Sequence, residues 1–141
     1  MPAGATSSDA IAWANLKAAP YNPSPLVYGD ELYVLYDQGM LSCFDARTGK
    51  PHYEKQRLGV PGGFTASPWA HDGKIFCLNE DAETFVVKAG PQFEFIRRNA
   101  LEPDPCLATP ALVGDSVILR TASRLYRIRN EAEAPVKRTR P

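Results

Sequence analysis

The chain has 141 residues, with 16 Lys and Arg against 16 Asp and Glu, so no net formal charge draws it toward nucleic acid or a membrane surface. Hydrophobic residues at 44% and charged residues at 23% match an ordinary globular domain and exclude a wholly disordered chain. The 13 Pro and 10 Gly break up long helices, so many short elements joined by turns are expected, and no apolar run approaches the roughly 18 to 20 residues that span a bilayer.

From the N-terminus, Met1 to Asp9 carry neither a basic stretch nor an apolar run, so no secretory leader is read there. Residues Ile11 to Leu16 have the composition of an outer strand, belonging either to a preceding repeat or to an incomplete last one, and Pro20 to Pro25 lead onward. A period then begins. Ser24-Pro25, Ser67-Pro68 and Thr109-Pro110 are spaced by 43 and then 42 residues. Each precedes a tight turn (Gly29-Asp30, Asp72-Gly73, Gly114-Asp115) and then a β-rich run: Leu32 to Tyr36, Ile75 to Leu78, Val117 to Leu119. A second turn follows in each copy, at Asp37-Gln38-Gly39, Asn79 to Ala82 and Ala122-Ser123, and then a third strand: Leu41 to Phe44, Thr84 to Val87, Leu125 to Ile128. Fourth strands are expected at Tyr53 to Arg57 and Phe93 to Arg97, while the third copy runs out at Asn130.

A twisted sheet of about 40 residues cannot bury both apolar faces alone, so the period implies stacked blades. The expected fold is all-β: a partial β-propeller of about three four-stranded antiparallel blades. The expected divisions are an N-terminal segment at 1–23, repeats at 24–64, 65–107 and 108–130 (the last incomplete), and a disordered polar tail at 131–141. In each repeat, proline stands at the mouth of the innermost strand, where no N–H is needed.

The first copy carries a further motif. Cys43-Phe44-Asp45-Ala46-Arg47-Thr48-Gly49-Lys50-Pro51-His52-Tyr53 resembles the Ala-x-Asp-x-x-Thr-Gly-Lys-x-x-Trp signature of the repeats named after pyrroloquinoline quinone (PQQ). Those repeats build quinoprotein dehydrogenases and the propeller lipoproteins of outer-membrane assembly. Asp45, Thr48, Gly49 and Lys50 match, and Tyr53 stands where the family has a tryptophan that docks between blades. The resemblance implies that these five residues are structural. It also implies an extracytoplasmic location and a portion, from the C-terminal side, of a longer propeller. Because about three blades do not close a ring, self-association is the other expectation.

Candidate chemistry is sparse. Cys43, Cys77 and Cys106 form neither a CxxC pair nor a cluster with His, and are read as small apolar side chains. Asn79-Glu80-Asp81-Ala82-Glu83 lacks the spacing of a calcium loop and reads as a solvated turn. His52 and His71 lie in different repeats, and the latter reads as part of a surface turn. Gly59 to Phe64 lacks the Lys-Ser/Thr of a phosphate loop and reads as a connection between blades. Neither the adjacent cysteine pair nor the calcium ligands of the quinoprotein enzymes are found, so no catalytic, cofactor-binding or metal-binding residue is assigned. The expected role is a non-catalytic scaffold that binds protein partners at the inter-blade loops, with Asn22, Gly62, Phe64, Pro103 and Asp104 as candidate rim residues. The alternatives are a portion of a quinoprotein-like oxidoreductase or a propeller sensor domain of a signalling protein.

Overall fold

The computed structural model describes residues 9–59 and 62–129. It contains three antiparallel sheets in chain order. Blade 1 is β1 (Leu26–Tyr28), β2 (Glu31–Tyr36), β3 (Met40–Asp45) and β4 (Pro51–Arg57). Blade 2 is β5 (Trp69–His71), β6 (Lys74–Leu78), β7 (Glu83–Lys88) and β8 (Phe95–Ala100). Blade 3 is β9 (Ala111–Val113), β10 (Ser116–Arg120) and β11 (Leu125–Arg129), with no fourth strand among the described residues. The expected tail at 131–141 lies outside them.

Period-two alternation sends Tyr33 and Leu35 of β2, with their β3 partners Cys43 and Leu41, to one face of blade 1. Ile75 and Cys77 of β6, with Val87 and Phe85, meet them from blade 2, and Leu58 and Phe64 of the connecting segment complete one buried cluster. Each such side chain contributes about 1.5–3 kcal/mol on burial, so this interface outweighs any single polar contact in holding the blades together. Two tyrosines of blade 1 add polar bonds across it, the Gly90 N–H donating to the Tyr33 hydroxyl at 2.7 Å and the Gly73 N–H to that of Tyr28 at 3.0 Å. The opposite face of blade 2 meets blade 3 through Leu78, Ala82, Trp69 and Leu119, with Trp69 stacked on Phe76 at 5.3 Å.

Residues 11–16 form no strand, which corrects the expectation of an outer strand there. The Asn15 side chain accepts a bond from the Lys17 N–H and turns the chain, and Pro20 and Pro23 further deny it a pairing edge. The segment instead lies along blade 1. Trp13 Nε1 donates to the Ala46 carbonyl at 3.1 Å, and the amides of Tyr21 and Asn22 donate to the Asp37 carboxylate at 2.8 and 3.0 Å. It thus runs from the β3–β4 turn to the β2–β3 turn, on a blade whose remaining face carries buried Val34 and Phe44. The fourth strand of blade 2 starts later than expected because Gly90-Pro91-Gln92 lengthens the turn, leaving Phe93 outside the strand and edge-on to Tyr53 at 5.5 Å.

Gly49 has φ +69°, and a Cβ built there would stand 2.5 Å from the Trp13 ring. Gly49→Val is therefore expected to cost about 2–4 kcal/mol in urea unfolding, from left-handed backbone strain and the displaced indole; a change within about 0.5 kcal/mol would contradict this contact. Tyr53 packs between blades 1 and 2, but its buried hydroxyl has no hydrogen-bond partner. Tyr53→Phe should thus be neutral or stabilising, whereas Tyr53→Ala should lose about 2–4 kcal/mol.

Candidate interaction surface

The signature residues build a turn. Asp45 Oδ1 accepts from the Thr48 N–H and hydroxyl, both at 2.7 Å, and from the Arg47 N–H at 3.1 Å. The Gly49 N–H donates to the Asp45 carbonyl and the Asp45 N–H to the Lys50 carbonyl, closing the β3–β4 hairpin. The Thr48 hydroxyl and amide hold the Asp45 carboxyl below the usual carboxylate range. Its depressed pKa means that the turn gains stability above the unfolded value near 3.9 and loses it as pH falls through the folded value.

The inter-blade connections occupy the other end of the blades, where their backbone staples successive β2–β3-type turns. The Phe64 N–H donates to the Asp37 carbonyl at 3.0 Å, and one repeat later the Cys106 N–H donates to the Glu80 carbonyl at 2.9 Å. Likewise the Glu80 N–H donates to Gly63 and the Ala122 N–H to Pro105, at 2.9 and 2.8 Å. Carboxylates reinforce the staples. Partial burial pushes the Asp37 carboxyl up, but the amides of Tyr21 and Asn22 outweigh it and hold the group below its ordinary range. Asp104 is held low by the hydroxyls of Thr121 and Ser123 and by the Ser123 amide.

Of the rim candidates, Asn22 is exposed, while Asp104 accepts two bonds from Ser123 beside it in blade 3. Pro103 is exposed and Gly62 half-buried near Asn79. Phe64 is a correction: it is fully buried, with its ring 5.6 Å from Phe85, and so belongs to the blade 1–2 core instead of the rim. Two further residues of these connections are exposed, Tyr21 at 90% and Leu107 at 54%.

One expectation about polar residues changes, and a further polar contact emerges. The Asn79 to Ala82 turn is not simply solvated, because Asn79 is buried and its Oδ1 accepts from the amides of Asp81 and Glu83. Ser24, Ser67 and Thr109 form a ladder along the inner strands: the Ser24 N–H donates to Ser67 Oγ at 2.8 Å, and the Ser67 N–H to Thr109 Oγ1 at 2.9 Å. The signal was present in the recurrence of Ser or Thr before proline.

The three cysteines are free and buried. Burial pushes the Cys43 and Cys77 thiols up to about 12, which keeps both protonated and unreactive at neutral pH. His52 and His71 are exposed, and no group of His, Cys, Asp and Glu among the described residues is arranged to hold a metal ion. No described helix is long and apolar enough to cross a membrane.

No protein family and no curated protein matches the chain. Among solved structures it is similar to BamB from Moraxella catarrhalis, at 16% sequence identity and a TM-score of 0.65 over 84% of this chain. The three sheets are blades of a partial β-propeller. The match covers 36% of the BamB chain, so this chain spans about a third of that propeller. A europium-containing methanol dehydrogenase aligns over 52% of this chain and 15% of its own, at 12% identity and a TM-score of 0.40.

If the serine ladder ties the blades, Ser67→Ala should lower stability by about 0.5–1.5 kcal/mol and Ser67→Thr should keep most of it; equal stability of Ala and wild type would remove the ladder from the account.

Proposed function

We propose that the chain is a non-catalytic β-propeller module that holds a partner protein on the rim formed by its inter-blade connections. The observation that supports this most is the pairing of fixed backbone with exposed anchors. The connections are stapled to the turns on either side, and from this rigid rim Tyr21 and Leu107 project into solvent. Large side chains on a preorganised backbone lose little entropy when they bind, which is what an interface anchor requires. The resemblance to propellers of outer-membrane assembly fits the same reading and suggests an extracytoplasmic setting.

The test uses photo-crosslinking groups at positions 21 and 107, with positions 27 and 96 as exposed controls away from the rim. Rim crosslinks to one defined protein, abolished by Tyr21→Asp with Leu107→Asp while the melting temperature holds, are expected. Crosslinks of equal yield from the control positions would overturn the reading, as would saturable PQQ binding with calcium accompanied by alcohol or sugar oxidation.

A further inference from the structure

We draw no further inference here: the strongest candidate, the cavity of about 370 Å³ between blades 2 and 3 lined by Trp69, Phe76, Arg97, Leu119 and Ile128, carries nothing, because its wall includes β11, the last described strand, and nothing in the structure shows what covers it.

Discussion

A propeller blade is a sheet with two apolar faces, and the arrangement of this chain follows from the need to cover both. Blade 2 meets the requirement most fully, with the Ile75, Cys77, Phe85 and Val87 face against blade 1 and the Leu78 and Trp69 side against blade 3. Blade 1 covers one face with blade 2, while the segment carrying Trp13 runs along it from the β3–β4 turn to the β2–β3 turn. Among the described residues blade 3 has a neighbour on one face only, and exposed Val113 and Leu125 belong to this less covered blade. The gradient of burial along the chain is thus a gradient in how many faces have a neighbour.

Polar contacts then set the geometry that burial alone leaves loose. At the axis the hydroxyls of Ser67 and Thr109 receive the amides of Ser24 and Ser67 from the preceding repeats, and at the rim each connection ties the turns of two blades. These bonds are worth less apiece than a buried leucine, but they are directional and fix the spacing between blades. The same bonds fix the backbone of the connections, and the proposed partner binding rests on that. The same repetition makes departures informative. Arg97 stands where the pattern calls for an aromatic residue, and the space beside it is open.

Much of the fold was legible in the sequence because turns and strands recur at a nearly constant spacing. The landmarks Ser-Pro, Gly-Asp and the β-rich runs each fall on the element expected of them, and Asp45, Thr48 and Gly49 form a hydrogen-bonded turn between β3 and β4. What was not legible depends on tertiary contacts. Residues 11–16 have a strand-like composition, yet Asn15 and the flanking prolines turn them into a packed coil whose role hangs on one indole reaching Gly49. Phe64 sits in a glycine-rich loop and was placed on the rim by its neighbours, but its ring was free to turn inward once Phe85 offered a buried partner. Tyr21 and Leu107 lie in segments the period marks as connections, but how far each is exposed is a property of the assembled blades.

The central claim is that blades 1 and 2 pack face to face, and Tyr53 and Phe93 meet across that interface at 5.5 Å. A double-mutant cycle on this pair, with both residues truncated to Leu, tests it most directly. The account predicts a coupling of about 0.5–1.5 kcal/mol in equilibrium unfolding. Additive effects, with coupling below about 0.3 kcal/mol, would mean that the rings do not touch and would contradict the stacking of the blades.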